Sequence, residues 1–439
     1  MQQPGFFDQD TLVSVMTLAP LDSALDYRAP EGGCHLGAYV EVPLGPRKVL
    51  GVVWGAGRGD YDLSKIRAVA KVLDVAPMRA ELQSFLERGA DYTLTPRPAM
   101  LRLATRVPGL SNPPSMRKIY RPGATEPDRM TDARRRVLET FQSYGGLAFT
   151  LKELADMAGV STSVIKGMVA LGAVQEEDAL RDLPFQPLEA DHSQTTLTPA
   201  QGKAASALIA GLKQQNYGTT LLKGVTGSGK TEVYLEAVSE CLRQGRQALV
   251  LLPEIALTAE FLNRVEARFG AFPAEWHSGV TLTERRRVWK MVGAGGAQMV
   301  IGARSALFLP YQNLGLIVVD EEHDSSYKQE DGVLYHARDM AVLRASICGA
   351  RVVLASATPS LESWANAEAG KYQYLELAAR FGAAVMPKLG AIDMRGESLP
   401  AGRWISHTLQ KAIERRLQAG EQSLLFINRR GHAPGRLGP

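Results

Sequence analysis

Short apolar runs alternate with amphipathic stretches over the longest part of the chain, from residue 197 to about residue 375. The apolar runs have the composition of buried β-strands, and the stretches between them carry apolar residues at helical spacing. This order predicts an α/β fold with a parallel sheet and helices on both faces. The predicted strands are 219–223, 248–252, 298–301, 315–319 and 351–355.

The N-terminal part, from residue 11 to about residue 95, is predicted to be a small domain with strands. Residues 39–43 and 48–54 flank Leu44–Arg47, whose glycine and proline are typical of a hairpin turn. Residues 78–92 have the apolar spacing of a helix.

The composition changes between residues 96 and 136, which contain seven prolines and ten basic side chains. Proline removes a backbone donor and fixes its own φ, so long regular elements are not expected here. We predict a basic, proline-rich linker at 106–130, which is either a solvated connection or a strap that contacts phosphates.

Residues 131–183 are predicted to form a small winged-helix domain. A helix opening at Leu151, a turn at Gly159 and a second helix capped by Ser161 and ending near Leu171 have helix-turn-helix spacing. A wing strand is predicted to begin near Ala173. Such units contact either DNA or other proteins, and the sequence leaves both open.

Composition limits the class of protein. The 439 residues allow for about three domains, and the formal charge of +4, from 50 basic and 46 acidic side chains, is too small to identify a nucleic-acid partner. Cys34, Cys241 and Cys348 are far apart and odd in number, which fits a reducing cytosol. We expect a cytoplasmic protein without a membrane partner, because there is no signal peptide and no apolar run near the ~20 residues of a membrane span.

The octapeptide Gly224–Thr231 matches the phosphate-binding pattern G-x-x-x-x-G-K-[ST] between a predicted strand and a predicted helix. Glycines let backbone N–H groups turn toward phosphates, Lys230 would reach the β- and γ-phosphates, and the Thr231 hydroxyl would hold Mg²⁺. The alternative is a glycine-rich turn that binds nothing. The candidate nucleotide ligands here are Gly224, Thr226, Gly227, Ser228, Gly229, Lys230 and Thr231.

A second pattern, at 316–323, is a buried strand that ends in acidic residues. The carboxyl ends of parallel strands form the ligand site of an α/β sheet. Asp320 would hold Mg²⁺, and Glu321 would orient and polarise the attacking water. With Lys230, these are the candidate catalytic residues. The loops at 251–258, 301–308 and 356–359 follow other strands at the same edge.

Eight segments occur in an order that is similar to motifs I through IV of the superfamily 2 DNA helicases. The long block after Asp320 resembles the PriA family of primosomal replication-restart helicases, and the resemblance covers nearly the whole chain. The segments are GVTGSGKT, LLPEIALT, WHSG, IGARSALFLP, VVDEEHDSSYKQEDG, YHARD, ASATPS and INRRGHAP.

The resemblance implies a RecA-like P-loop lobe at 197–380, a β-rich 3′-end DNA-binding domain at 1–105 and a second RecA-like lobe that only begins at 388–439. It implies an ATP-dependent 3′→5′ DNA helicase with ATP and Mg²⁺ as cofactors. This helicase would recognise forked and single-stranded DNA and start primosome assembly at stalled forks. It would be a monomer near the nucleoid, with single-strand-binding protein and primosome proteins as partners.

The resemblance also assigns residues in the helicase lobe. Gln201 stands where adenine-reading glutamines occur, and residues 323–336 match an aromatic-rich loop that couples single-strand binding to ATP hydrolysis. Tyr327 and Tyr335 would stack on bases, or alternatively pack beneath the loop. The implied DNA-binding residues of the lobe are Arg304, Tyr327, Lys328, Tyr335 and His336, and the implied coupling residues are His323, Ser356 and Thr358.

Four N-terminal residues, Asp26, Tyr27, Gly45 and Arg67, are similar to a pocket for a 3′-terminal nucleotide. Asp26 would accept a hydrogen bond from the 3′-hydroxyl or the base, and the alternative is a surface Asp on a turn. Leu25 stands where the family often has an aromatic residue, so base stacking is not expected from this position.

The C-terminal end departs from the family pattern. Family members carry cysteine pairs for two zinc ions and an arginine finger beyond the INRRG motif, whereas no cysteine follows Cys348 here. We therefore expect no zinc ligands in this chain. The alternative to a helicase is a truncated, non-catalytic fragment that binds nucleotide and forked DNA with little ATPase or unwinding activity.

Overall fold

The computed structural model describes most of the chain as two compact units, which comprise residues 1–381 and 382–439. The described residues are 5–21, 23–60, 62–107, 109–110, 116–127, 129–144, 147–180, 184–253, 256, 258–378, 388–396, 399 and 405–426.

The N-terminal region of the first unit contains a five-stranded antiparallel sheet. Its strands and helices are β1 (Phe6–Phe7), β2 (Leu12–Thr17), β3 (Leu25–Arg28), β4 (Cys34–His35), β5 (Tyr39–Leu44), β6 (Arg47–Ala56), β7 (Lys71–Val72), α1 (Ala80–Thr93) and α2 (Arg97–Thr105). The sheet order is β3-β2-β6-β5-β7, and β1 pairs with β4. The predicted hairpin is confirmed, with Gly45 in the left-handed region (φ +60°) between β5 and β6.

The next segment is a small helical domain with a two-stranded antiparallel sheet. Its elements are β8 (Met116–Pro122), α3 (Asp132–Ser143), α4 (Leu151–Ala158), α5 (Thr162–Ala170) and β9 (Val174–Leu180). Gly159 ends α4 in the left-handed conformation, and the predicted helix, turn, helix and wing strand are all present. Ser161 occupies the N-cap position of α5 but donates or accepts no capping bond, and its hydroxyl contacts Ser163 instead (2.7 Å).

The proline-rich segment is more regular than its composition predicts. α2 includes Pro98 in its first turn, where a missing N–H costs no helical hydrogen bond. Residues 116–122, expected within a linker, form β8, with Pro122 at the strand end opposite Val174. The segment, in which no long regular element was expected, thus contains a nine-residue helix and a seven-residue strand.

The α/β part is built on a seven-stranded sheet in which every recorded pairing is parallel. The strands are β10 (Gly218–Gly224), β11 (Gln247–Leu251), β12 (Ala274–Trp276), β13 (Met299–Gly302), β14 (Leu314–Asp320), β17 (Arg351–Ser356) and β18 (Gln373–Leu377), and β15 (Lys328–Gln329) pairs with β16 (Tyr335–His336) in a separate hairpin. The order is β12-β13-β11-β14-β17-β10-β18. The predicted strands and the predicted α/β fold are confirmed.

Helices cover both faces of this sheet, as predicted. They are α6 (Pro199–Lys213), α7 (Lys230–Arg243), α8 (Ala259–Phe269), α9 (Leu282–Gly293), α10 (Ala337–Cys348) and α11 (Leu361–Glu368). The longest helix in the described parts of the chain, α6, has 15 residues, and none there combines the length and apolar character needed to cross a membrane.

One face of the sheet shares its core with the N-terminal region. The Trp289 indole of α9 donates to Ala104 O of α2 (2.8 Å) and packs edge-to-face on Tyr39 of β5 (centroids 5.1 Å apart). Phe85 of α1 packs on Phe308 (5.4 Å). Because all of these side chains are fully buried or nearly so, the N-terminal helices and the α/β part form one continuous core.

The second unit is described over residues 388–396, 399 and 405–426. It contains a 3₁₀ turn at Met394–Gly396 and α12 (His407–Gln418), whose N-cap Ser406 accepts from Leu409 N (3.0 Å). The INRRGHAP segment, 427–434, lies outside the described residues. A second RecA-like lobe at 388–439 therefore stays a prediction.

Candidate nucleotide and DNA sites

The glycine-rich loop connects the end of β10 to the first residue of α7. Gly227 and Gly229 have φ values of +79° and +81°, which glycine adopts without strain. A side chain at Gly229 would collide with the Gln201 amide. The loop therefore delivers the unsatisfied N–H groups and the positive end of α7 to one point, as phosphate binding requires.

This loop forms one wall of a cavity of about 480 Å³, called here the nucleotide cavity. The acidic end of β14 lies opposite, because β14, β17 and β10 are neighbours and end at the same edge. The structure thus brings together the loop residues after Val225 and both predicted acids. The lining residues are Thr195, Thr196, Gln201, Thr226, Gly227, Ser228, Gly229, Lys230, Thr231, Glu232, Arg264, Asp320 and Glu321.

Lys230 and Glu321 face each other in this cavity. The Lys230 ammonium donates to Gly224 O (2.9 Å) and lies 3.6 Å from Glu321 Oε1. Only 8% of the Lys230 side chain is exposed, whereas 40% of the Glu321 side chain is. Glu321 has a φ of +46°, an uncommon conformation for a residue with a side chain. Lys230 is therefore almost buried in the wall of the cavity, whereas the Glu321 carboxylate is accessible from the cavity.

Asp320 is held from two sides. Tyr234 Oη donates to its Oδ2 (2.9 Å), and Glu321 N donates to its Oδ1 (3.0 Å). Burial raises the pKa of Asp320, and the Tyr234 hydrogen bond opposes part of this effect. The sequence analysis missed Tyr234, although its position four residues after Lys230 puts both on one face of α7.

The residues of the cavity fit a magnesium nucleotide. The Ser228 hydroxyl is buried and has no hydrogen-bond partner among the described atoms, so a phosphate oxygen would satisfy it. The Thr231 hydroxyl and the Asp320 carboxylate both line the cavity, and oxygen ligands of this kind suit Mg²⁺.

Gln201, the predicted adenine reader, lines the nucleotide cavity and also supports the glycine-rich loop. Its Oε1 accepts from Thr198 N (2.9 Å), and its Nε2 donates to Ser228 O (2.9 Å). The residue is buried and forms a capping box with Thr198 at the start of α6. Gln201 therefore supports the glycine-rich loop in this structure, and its role as an adenine reader stays a prediction.

The three predicted coupling residues lie together at the ends of β14 and β17. His323 Nδ1 and Ser356 Oγ are 2.7 Å apart, and Thr358 N donates to the same hydroxyl (3.0 Å). His323 also lies 3.7 Å from Glu321. The three residues and Glu321 thus form one polar cluster, and a role in coupling stays a prediction.

Glu322 forms a second polar connection, which the sequence analysis did not identify. It is fully buried and accepts hydrogen bonds from Ser360 N (2.7 Å), Ser360 Oγ (2.9 Å) and Ser363 Oγ (2.8 Å). Arg338 Nη1 lies 3.5 Å from Glu322 Oε2 and donates to Ser360 Oγ (2.6 Å). The sequence shows only that Glu322 is the third acidic residue in a row at the end of the buried strand. An acidic residue in that position is more simply expected to be exposed to solvent.

The two candidate stacking tyrosines are buried, at 1% and 5% exposure. Tyr327 Oη lies within hydrogen-bond distance of Leu251 O (3.0 Å) and Asp320 O (2.6 Å). Tyr335 packs edge-to-face on Phe308 (5.2 Å). Both rings pack beneath the loop, which was the alternative to stacking, because the loop folds back onto the core between α1 and the sheet.

The other predicted DNA contacts of the lobe surround the β15–β16 hairpin. Arg304 donates to Ser326 O (2.8 Å) and Lys328 O (2.9 Å), so it orders the loop backbone. Lys328 is exposed and lies 3.7 Å from Glu330. His336 precedes α10; burial, and next the positive charge of Arg338, lower its pKa.

The N-terminal candidates line a separate pocket of about 310 Å³, called here the 3′-end pocket. Asp26 Oδ2 accepts from Arg58 N (2.9 Å) and Gly59 N (2.8 Å), Arg67 Nη1 donates to Gly45 O (3.1 Å), and Tyr27 Oη donates to Pro43 O (3.1 Å). The pocket is lined by Leu25, Asp26, Tyr27, Pro43, Leu44, Gly45, Lys65, Ile66 and Arg67. The four residues are brought together as predicted, and their role in DNA binding stays a prediction.

Comparison with known proteins agrees with this architecture. Residues 198–367 match a DEAD/DEAH box helicase model, and residues 14–106 match a 3′DNA-binding domain model. The fold and the nucleotide cavity therefore belong to the helicase class, which implies the use of ATP and Mg²⁺.

The proteins that this chain resembles along most of its length identify one family within the helicase class. The replication restart protein PriA of Bacillus subtilis is 31% identical over 97% of this chain and 62% of its own length. The PriA protein of Haemophilus influenzae is 35% identical over 96% of this chain and 59% of its own length. The PriA protein of Rickettsia felis is 48% identical over 49% of this chain and 33% of its own length. The chain belongs to the PriA family of replication restart proteins. It spans less than two thirds of the length of these relatives.

Proposed function

We propose that this chain is an ATP-dependent 3′→5′ DNA helicase of replication restart that recognises forked DNA and initiates primosome assembly at stalled forks. The observation that carries the proposal is the convergence of Lys230, Asp320 and Glu321 on one cavity. Strand β14, which ends in Asp320, packs in one continuous core with α1 and α2 of the N-terminal region. A phosphate loop and a metal carboxylate are the two parts that phosphoryl transfer requires.

Each residue of the cavity has a distinct task in this proposal. The loop N–H groups, Ser228 Oγ and the Lys230 ammonium bind the phosphates, and Thr231 and Asp320 hold the metal. Bound MgATP supplies the phosphoanhydride whose hydrolysis drives movement along DNA. Glu321 orients and polarises the attacking water, and the His323–Ser356 contact relays the state of the cavity to the loop after β17.

The DNA side of the proposal assigns the 3′-end pocket to a 3′-terminal nucleotide. Asp26 Oδ2 is engaged by two backbone N–H groups, which fix the carboxylate at the pocket wall. A carboxylate so oriented can accept from a 3′-hydroxyl. Single-strand-binding protein and primosome proteins are the proposed partners of a monomer in the nucleoid-associated cytoplasm.

DNA-stimulated ATP hydrolysis tests the motor. The unmodified chain is compared with Lys230→Ala and Glu321→Gln, and with Lys203→Ala as a control at an exposed site of neighbouring α6. We expect the first two variants to lose ~100-fold or more of the DNA-stimulated rate, by analogy with removal of one transition-state contact. Equal rates in the chain and in both variants would refute the proposal.

A strand-displacement assay on forked DNA separates the helicase from a non-catalytic fragment. The helicase predicts ATP-dependent unwinding with 3′→5′ polarity. Nucleotide and fork binding without unwinding would instead support the fragment. In the same assay, the unmodified chain should prefer a fork with a 3′-hydroxyl end over one with a 3′-phosphate end. Asp26→Asn should abolish this preference, whereas the exposed control Asp60→Asn should preserve it.

A further inference from the structure

A second cleft lies between the C-terminal end of α1 and the β15–β16 hairpin. It has a volume of about 640 Å³ and is called here the α1 cleft. One wall is formed by Tyr92 and Thr93, which belong to the segment that matches the 3′DNA-binding domain model. The other wall is formed by residues between 328 and 339, which belong to the segment that matches the helicase model. The α1 cleft is lined by Tyr92, Thr93, Lys328, Gln329, Glu330, Leu334, Tyr335, His336 and Asp339.

The exposed aromatic ring of this cleft is on α1 and not on the hairpin. Tyr92 is 68% exposed, whereas Tyr335, which also lines the cleft, is 5% exposed. Leu334, 59% exposed, supplies an apolar surface in the same cleft. An exposed tyrosine near an exposed leucine leaves apolar area in water that a flat ligand can cover.

The polar groups of the cleft are suited to the edge of a base. His336 Nδ1 is buried and has no hydrogen-bond partner among the described atoms. Glu330 lies 3.7 Å from Lys328, whose side chain is 64% exposed, and Asp339 Oδ1 accepts from Arg338 Nε (2.8 Å). Each carboxylate keeps a second oxygen that can accept from a base. Two carboxylates disfavour a phosphate deep in the cleft, so the negative backbone would pass outside near Lys328.

From these observations we infer that the α1 cleft binds a nucleobase of single-stranded DNA, and that Tyr92 is the ring on which the base stacks. The inference rests on the proposed function for the presence of single-stranded DNA. The volume lies within the range of small-ligand sites, and stacking on an aromatic ring is the general mode of single-strand binding. The inference assigns the stacking role to a residue of α1, because Tyr327 and Tyr335 are buried in the structure.

The cleft is also connected to the nucleotide cavity. The hairpin that forms one wall follows directly after Tyr327, which is hydrogen-bonded behind Asp320. A base between Tyr92 and the hairpin would fix the hairpin against α1. The proposal therefore also predicts that Tyr92 contributes to the stimulation of ATP hydrolysis by DNA.

Affinity for a fluorescent single-stranded oligothymidylate tests the inference by anisotropy. Tyr92→Ala should weaken binding about 5- to 100-fold, the range for loss of one base stack, and Tyr92→Phe should remain within about twofold because the ring is kept. Tyr217→Ala removes an exposed tyrosine near the opposite edge of the sheet and should have no effect. An unchanged affinity in Tyr92→Ala would overturn the inference.

Photocrosslinking provides a second readout that does not depend on a variant. An oligonucleotide carrying 5-iodouracil, bound to the unmodified chain, should crosslink to the peptide that contains Tyr92. If the chain binds and is stimulated by single-stranded DNA but shows neither this crosslink nor the Tyr92→Ala defect, the inference fails and the proposed function stands. If the unmodified chain does not bind single-stranded DNA, both fail.

Discussion

The side-chain amide of Gln201 links the start of α6 to the carbonyl of Ser228 in the glycine-rich loop. Nε2 donates to Ser228 O at 2.9 Å, while Oε1 accepts from Thr198 N at the same distance. Each end of the amide makes one hydrogen bond, which leaves one N–H and one lone pair available for a base. The two bonds show that Gln201 supports the shape of the phosphate loop.

This geometry predicts that Gln201→Ala weakens ATP and GTP equally. Removing the donor leaves Ser228 O unsatisfied, at a cost of about 1–3 kcal/mol in the conformation of the loop. Titration with fluorescent ATP and GTP analogues measures both dissociation constants, and Gln142→Ala in the exposed part of α3 is the control. A loss of ATP affinity that spares GTP would show that Gln201 reads adenine.

Because Glu322 is buried, we predict that removal of its carboxylate destabilises the fold, as removal of an exposed carboxylate would not. Glu322→Ala leaves the buried Arg338 guanidinium without one of its carboxylate partners and leaves the hydroxyls of Ser360 and Ser363 without an acceptor. Removing one partner of a buried ion pair costs about 3–5 kcal/mol. Urea unfolding should show this decrease for Glu322→Ala, and almost none for Glu260→Ala, at an exposed position in the first turn of α8. A decrease below about 1 kcal/mol in the first variant would contradict the assignment.

His336 predicts a pH dependence of stability. Burial, and next the charge of Arg338, lower its pKa, while Asp339, Glu322 and Glu362 act in the opposite direction. Below the ordinary pKa of histidine the unfolded chain binds a proton that the folded chain does not, so stability falls as pH falls through that value.

The measurement compares His336→Asn with the unmodified chain. Between about pH 7.5 and about pH 5.5, a window around the ordinary histidine pKa, the unmodified chain should lose more unfolding free energy than the variant. Gln142→Ala, which replaces an exposed group that does not titrate, should follow the unmodified chain. Parallel curves for the chain and His336→Asn would contradict the prediction.

The sequence could predict those features that depend on neighbouring residues. Gly224–Thr231 and the strand ending in Asp320 are local patterns, and their meeting at one edge follows from parallel topology. β8 was missed because its partner, Val174–Leu180, lies far along the chain, and because the prolines in and before it argued against a strand. The burial of Tyr335 depends on Phe308, from another segment, and no local pattern indicates it.

A substitution at Tyr327 can distinguish a packing role of this ring from a base-stacking role. Its hydroxyl lies 3.0 Å from Leu251 O and 2.6 Å from Asp320 O, so it ties the loop to the strand that carries the candidate metal ligand. Tyr327→Phe keeps the ring and removes only this hydroxyl. A stacking role predicts no effect of this change, because phenylalanine presents an equivalent face to a base.

The structure predicts the opposite result. Tyr327→Phe should lower the unfolding free energy by about 1–3 kcal/mol, since buried carbonyl oxygens lose their donor, and should lower DNA-stimulated ATP hydrolysis while leaving single-strand affinity unchanged. Tyr335→Phe is the matched control, because among the described residues its hydroxyl has no hydrogen-bond partner. The two measurements are urea unfolding and the hydrolysis rate at saturating single-stranded DNA. Wild-type stability and rate in Tyr327→Phe would show that the hydroxyl anchors nothing and would return Tyr327 to the candidates for stacking.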